Sequence, residues 1–376
     1  MKKMLFETAL SGHRLEYVHH IYMGMLKHPN NDYIIVVPED FALKKNNYEW
    51  PTSENIQFDY ISKEEVKKAY SGNLISSSLN KTKLLIKYLK KYEPQKVFLI
   101  QLISFIPFLP ILVPRKFQVY AIIYKIYLYE WKQYSFMRKL LEVIKYKLII
   151  WGKCINTVFV LNDNSAVATL NRLYNSDKFR YLTDPFNKIE YAPKDIRSKL
   201  GIPDENIFFF HFGSLESRKG SIEILRAIEL MDAEKLSNYS FVFAGRVFDD
   251  IKKDFYSLIK SLEHKCQILL FDEYCTTEFL ADLSYSCDFI LMPYQVTAQS
   301  SGLLSYAAHF GKPVIASSDG LVGKLIRKYK LGITMPTVKA ESIAVTLPDC
   351  NPYIVSTNYN RINTIENFLT QIFSLF

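Results

Sequence analysis

Short runs of β-branched and aromatic residues alternate along the chain with stretches whose apolar positions recur at helical spacing, a pattern that predicts α/β architecture with mostly parallel sheets. Strands are expected at 3–7, 33–37, 56–60, 97–100, 118–123 and 157–161, and then at 207–211, 240–244, 267–271, 289–292 and 313–316. Helices are expected at 15–27, 78–91, 134–151 and 164–173, and then at 221–231, 248–262, 276–286, 302–310 and 321–329. No short-period repeat and no low-complexity tract interrupts the alternation.

The rhythm breaks once, at 183–203, where TDPFNKIEYAPKDIRSKLGIP mixes prolines with scattered charge. A chain of 376 residues exceeds the size at which one hydrophobic core keeps growing, so two domains are expected. The boundaries predicted are 1–183 and 184–360, with 361–376 as a final helix packing back towards the first domain. In doubly wound sheets ligands bind beyond the carboxyl ends of the strands, so two Rossmann-like domains facing one another would form a cleft.

Two turns in the second half carry chemistry. In FFHFGSLESRKGSIEILRAIE (209–229) an apolar strand breaks at small residues and runs into an amphipathic helix. Gly213 and Ser214 let backbone approach a ligand, Arg218 and Lys219 bring positive charge, and the helix start offers unpaired N–H groups and its dipole. That combination suits a diphosphate. A second version lies in FILMPYQVTAQSSGLLSYAAHFGKPVIASSDGLVG (289–323), where Ser300, Ser301, Gly302 and Leu303 open a helix. Arg246, after FVFAG, sits at a strand end as a phosphate or base contact or else a solvated cation. Tyr294 either lines a nucleotide pocket or packs, and Asp319–Gly320 reads as a turn.

These motifs resemble those of the retaining, metal-independent glycosyltransferases with the two-Rossmann GT-B fold, the group that includes glycogen-synthase-like and lipopolysaccharide sugar transferases. The likeness runs from about 189 to 332, through LGIPDENIFFFHFGSLESRKG, FVFAGR, AQSSGLLSYAAHFGKPVIAS, DGLVG and LIRKYKLG, with a fainter echo in ALSGHRLEYVHHIY near the start. The resemblance implies that the second domain binds a nucleoside-diphosphate sugar and the first binds the acceptor. It places Arg218 and Lys219 on the diphosphate, the backbone of Ser300, Ser301 and Gly302 on the same phosphates, and Gly12 with His13 in a glycine loop facing the donor. The family commonly carries two glutamates spaced E-x7-E around the second turn. Here those positions are Ala298 and Tyr306, and Ser214 stands where many members have a basic residue.

Departure of a nucleoside diphosphate leaves an anion and an oxocarbenium-like centre, so fixed positive charge at the leaving phosphate is the largest catalytic term available. Arg218, Lys219 and the amides of 301–303 are the candidates for it. Retention, which the resemblance implies, would let the leaving phosphate take the acceptor proton, with His13 as a further donor-facing polar group or else a helix cap. The chain has no Asp-x-Asp, Asp249 and Asp250 are adjacent, and the remaining histidines lack ligand spacing, so no metal and no cofactor are expected. The two-carboxylate hydrolytic pattern is missing as well.

The net charge of +9 concentrates between Val97 and Lys153, where nine basic residues meet only Glu130 and Glu142 among many aromatics. At 100° per residue Phe136, Met137, Leu140, Leu141, Ile144, Leu148 and Trp151 share one side of a helix, a pattern that fits either an interfacial helix or one packed on a sheet. The apolar run 97–113 is too short and too proline-broken to span a bilayer, so peripheral contact with an anionic membrane is the expectation, and no nucleic-acid signature accompanies the charge. Five cysteines without a CxxC pair, and a start unlike a signal peptide, predict a cytoplasmic protein, at the inner face of the plasma membrane if it docks there. The predicted function is sugar transfer from a nucleotide donor to a saccharide or lipid-linked acceptor in bacterial surface polysaccharide assembly. A catalytically silent nucleotide- or partner-binding subunit is the alternative that Ala298 and Tyr306 raise, and an epimerase on the same fold would need the missing carboxylates.

Overall fold

The computed structural model describes residues 1–45 and 48–376. The chain divides into two compact units, Met1–Asp184 joined by Ile365–Phe376, and Pro185–Thr364. The sequence placed the breaks at 183/184 and 360/361.

In unit 1 the strands are β1 (Lys2–Phe6), β2 (Asp32–Pro38), β3 (Ile56–Ile61), β4 (Lys96–Leu99), β5 (Gln118–Ile123), β6 (Ile155–Leu161) and β7 (Phe179–Leu182), and they form one parallel sheet in the order β3-β2-β1-β4-β5-β6-β7. A parallel sheet flanked by helices on both faces favours apolar side chains on both sides of its central strands, and the central stretches of β1, β2, β4, β5 and β6 are near-continuous apolar runs. Met4 and Phe6 enter one core layer and Leu5 the other; Val97 and Leu99 divide from Phe98 in the same way. The last helix, Ile365–Phe373, completes the second layer with Phe368, Leu369 and Ile372. Gln371 accepts the backbone N–H of Thr183 at 2.8 Å, and Lys96 donates to the Leu375 carbonyl at 2.7 Å.

Unit 2 holds β8 (Ile207–Phe212), β9 (Tyr239–Ala244), β10 (Gln267–Phe271), β11 (Phe289–Met292), β12 (Val314–Ser317) and β13 (Gly332–Met335), again all parallel, in the order β10-β9-β8-β11-β12-β13. Stacked Phe209, Phe241 and Phe289 on adjacent strands fill its centre. The two chain segments that enter and leave this unit run side by side, with the Phe186 N–H donating to the Asn363 carbonyl at 3.2 Å.

In each sheet the strand order reverses once, between β1 and β4 and between β8 and β11. Such a reversal sends the two flanking connections to opposite faces and leaves a crevice at the carboxyl ends, where ligands of these folds bind. The predicted strands all form, with small differences at their ends; β7 and β13 were not predicted, and both are four-residue strands at a sheet edge. The helix Lys63–Ala69 was missed too, although Ser62 and Glu65 form a capping box at its start.

Candidate functional site

The crevice of unit 2 assembles both chemical turns. Beyond β8 the chain turns at Gly213, whose φ of 100° is open to glycine, and the Gly245 backbone lies against it: a Cβ on Gly245, at φ 132°, would stand 1.9 Å from the Gly213 carbonyl oxygen. After a short 3-10 turn at Ser217–Lys219, Gly220 opens the helix Ser221–Leu230 with φ 74°. Its bare backbone lets the Pro293 carbonyl approach, so the turn after β8 and the turn after β11 are pressed together.

Lys219 points into this junction. Its Nζ donates to the Tyr294 hydroxyl at 3.1 Å and lies where a side chain on Gly213 would crowd it. Ser301 Oγ donates to the same hydroxyl at 3.4 Å, and the Leu303 N–H donates to Ser301 Oγ at 3.4 Å. A single hydrogen-bonded chain therefore runs from the cation of the first turn through buried Tyr294 to the start of the helix Leu303–Phe310. Gly302 occupies the N-cap of that helix without a capping side chain; Ser301 Oγ takes the Leu303 N–H, the Leu304 and Ser305 N–H groups turn back on the Ser301 and Gly302 carbonyls at 3.2 and 3.0 Å, and the dipole end of the helix still favours an anion.

Arg218 behaves differently. Its guanidinium pairs with Glu216 at 2.6 Å and is 43% exposed, and the same carboxylate oxygen accepts from Ser214 Oγ at 2.5 Å. The sequence reading grouped Arg218 with Lys219, but a neighbouring carboxylate already engages one of the two. Arg246 is exposed beside Asp272, while its carbonyl accepts the Leu215 N–H at 2.9 Å and extends the β8–β9 pairing. Ala298, at one absent-glutamate position, is buried. Tyr306, at the other, meets Phe212 edge-on at a ring separation of 5.3 Å and Phe186 at 5.9 Å. Gly320 presses on Thr297, whose carbonyl accepts the Leu321 N–H at 2.7 Å, so the Asp319–Gly320 turn braces the loop before Ser300.

Beneath the crevice His211 is wholly buried. Its Nδ1 lies 2.9 Å from the Leu291 carbonyl, so that nitrogen carries the proton and Nε2 accepts from Ser221 Oγ at 2.9 Å. Burial pushes the ring down to about 4, and it stays neutral. It ties β8 to β11 and to the helix that follows Lys219.

At the matching reversal in unit 1 the sequence reading singled out Gly12 and His13. Gly12 has φ 63°, and His13 stands at the N-cap of the helix Arg14–Leu26 without a side-chain cap bond; its Nδ1 meets Glu16 at 3.2 Å and its side chain is 77% exposed. Burial works against ionisation of Glu16, yet hydrogen bonds from His13 and His20 bring its carboxyl down to about 2. The reading missed a buried polar group nearby. Glu7, directly after β1, accepts from the N–H groups of Thr8 at 2.7 Å and Ala9 at 3.0 Å and from Arg14 at 3.1 Å, and Arg14 also donates to Gln101 after β4. The buried Lys81 ammonium sits 3.8 Å from the centre of the Tyr70 ring, whose hydroxyl is 3.0 Å from Thr8 Oγ1. These residues come from four separate stretches of sequence, and only the strand order brings them together. Among the described residues no group of three or more His, Cys, Asp or Glu side chains could hold a metal ion.

Residues 193–348, most of unit 2, match the family model of the glycosyl transferases group 1. The chain carries a group 1 glycosyltransferase domain. Glycosyl transfer is thus its enzyme class, and the two parallel-sheet units are those of the GT-B fold. No curated protein sequence matches. Among solved structures, WaaG, a glycosyltransferase involved in lipopolysaccharide biosynthesis, is similar with a TM-score of 0.66 at 13% identity, covering 100% of this chain and 98% of that one. Alr3699/HepE of Anabaena, in complex with UDP and glucose, has a TM-score of 0.68 at 14% identity, with 100% and 98% covered. Sucrose-phosphate synthase of Thermosynechococcus elongatus has a TM-score of 0.64 at 14% identity, with 100% and 94% covered. At such identities the likeness is one of fold.

Proposed function

We propose that this group 1 glycosyltransferase takes its sugar from a nucleoside-diphosphate donor held in the unit 2 crevice and passes it, with retention and without a metal, to a saccharide or lipid-linked acceptor bound by unit 1 in bacterial surface polysaccharide assembly. The observation that carries this reading is the Lys219–Tyr294–Ser301–Leu303 chain, which joins a cation and a helix N-terminus at one strand-order reversal. A diphosphate offers negative charge to both at once.

In this reading Lys219 and the amides around Gly302 and Leu303 stabilise the departing diphosphate, with Arg218 turning from Glu216 to join them. The leaving phosphate accepts the acceptor's proton, which requires no separate base. Gly213, Ser214, Arg246, Ser300 and Ser301 complete the donor contacts, and Gly12 and His13 belong to the donor-facing loop of unit 1. Ala298 and Tyr306 offer no carboxylate to the sugar or ribose, and the Tyr306 ring instead packs against Phe212 and Phe186. The UDP and glucose bound by HepE and the involvement of WaaG in lipopolysaccharide biosynthesis support a nucleotide donor and a surface-glycan setting.

Calorimetric titration of the full chain with UDP, GDP, ADP and dTDP is expected to give micromolar-range binding for one of them. The matching nucleotide sugar should then release nucleotide on turnover. Failure of all four to bind defeats the donor reading; binding without release of nucleotide in the presence of saccharide or lipid-linked acceptors returns the chain to a silent nucleotide-binding subunit.

A further inference from the structure

The helix Phe136–Trp151 of unit 1 is inside out. Its inward side carries buried Tyr146 and Ile149 beside a shielded Lys145–Glu142 ion pair of 2.7 Å, whereas Phe136, Met137, Leu140, Leu141, Ile144 and Trp151 are all exposed. Phe136 is 78% and Trp151 64% accessible. A soluble helix packed on a sheet does the reverse. Close by, Gly152 admits Pro110 to van der Waals contact, which brings the short helix Leu109–Leu112 against the end of this one; Ile111 and Leu112 on it are exposed as well. So large a contiguous apolar surface marks an interaction site.

Charge decides what covers it. The acidic groups of the segment are already matched, Glu130 by Lys125 at 2.8 Å and Glu142 by Lys145. Lys147 projects from within the apolar stripe, and Arg138, Lys132 and Lys153 are exposed around it, so the surplus at the rim is positive. Two copies meeting through this face would bring those cations together. An anionic bilayer offers acyl chains to the stripe and headgroups to the rim, and lysines at an apolar edge keep their ammonium groups at that boundary while the stems stay buried. Among the described residues no helix is long and apolar enough to cross a membrane, so contact through this face would be superficial.

We infer that the helix Phe136–Trp151, with Ile111 and Leu112, is an interfacial anchor that lies flat on an anionic lipid surface. The inference goes beyond the transfer reaction and stands whichever donor is used.

The test is sedimentation of the full chain with vesicles of phosphatidylcholine alone and of phosphatidylcholine mixed with phosphatidylglycerol. The chain should pellet with the anionic vesicles, weakly or not at all with the neutral ones, and less as salt rises. Replacing Leu140 and Ile144 together by serine should lower vesicle affinity by about tenfold or more with the melting temperature held, since both side chains face solvent. The pair R138E and K147E leaves the stripe intact and should abolish the preference for anionic lipid. Absence of vesicle binding, or binding unchanged in both variants, overturns the inference. So does a dimer in sedimentation velocity that the serine variant dissolves, since the face would then belong to a second copy.

Discussion

The two strand-order reversals share a topology and differ in charge. Between β8 and β11 a lysine, a tyrosine hydroxyl and a helix start converge with positive potential and without a carboxylate bonded to Lys219. Between β1 and β4 the cation Arg14 is spent within the protein, on Glu7 and Gln101. Burial pushes the Glu7 carboxyl above its ordinary range, against the pull of Arg14 and two backbone N–H groups. The lysine of the first reversal meets only hydroxyl groups, whereas at the other Arg14 and the buried Lys81 share one carboxylate, Glu7. The same scaffold thus engages its cations differently through the few residues that follow its strands, and the comparison can be broken at either end.

The largest effect is expected in unit 1. Arg14→Ala leaves buried Glu7 with its two amide donors and the Lys81 ammonium, and removing one member of a buried pair costs up to about 3–5 kcal/mol. Denaturant melts near neutral pH should show that loss, and it should shrink as pH falls and the carboxyl takes up a proton. Nucleotide affinity, a property of the other compact unit, should stay within about twofold on the same comparison of independent sites. A large drop in nucleotide affinity would mean that the two reversals do not act separately.

Lys219→Ala reverses the pattern. Turnover should fall by about 10²–10³, or 2.7–4 kcal/mol, as for loss of a preorganised donor to a developing anion. The melting temperature should hardly move, because the partner left behind is a tyrosine hydroxyl that keeps Ser301 as a donor. Unchanged turnover would remove the lysine from the phosphate site.

His211 supplies a pH test of the support under unit 2. Its ring falls from 6.5 to about 4 through burial, so the folded chain refuses a proton that the unfolded chain accepts. Stability is whole above pH 6.5 and is lost as pH drops towards 4, by roughly 3 kcal/mol in all for this group. His211→Asn keeps a donor for the Leu291 carbonyl but does not titrate. It should be less stable than the parent at pH 7, and the gap between them should narrow by pH 4.5. A gap that stays constant would show that the histidine takes up its proton alike in the folded and the unfolded chain.

How much of this was readable beforehand follows from the range of the forces involved. FFHFGS and RKGSIEILRAIE disclose a strand, a turn and a helix because each is a local pattern, and Lys219 is found with them. The edge strands β7 and β13 escaped because a four-residue strand paired on one side has little pattern of its own. Glu7 and Arg14 escaped because their partnership with Gln101 depends on β4 lying next to β1, which the sequence does not state. The stripe on Phe136–Trp151 was visible as a helix face, but whether it turned inward depended on the packing of Tyr146 and Ile149. The difference between Arg218 and Lys219, adjacent and alike in charge, lay in which neighbours their side chains met.

That difference leads to the smallest effect. With Glu216 holding Arg218 at 2.6 Å on a half-exposed surface, the guanidinium must exchange one carboxylate for a phosphate, and most of what it gains it also gives up. Pairs of this exposure are worth at most about 1 kcal/mol, so Arg218→Ala should raise the KM for the donor by roughly fivefold while kcat changes little. Glu216→Gln sharpens the point: relieved of its carboxylate partner, Arg218 should bind the donor more tightly than in the parent, and the improvement should vanish in the double variant. Equal losses of 10²-fold or more from Arg218→Ala and Lys219→Ala would instead show that both cations bear on the diphosphate alike, and that the Arg218–Glu216 pair opens fully once the donor arrives.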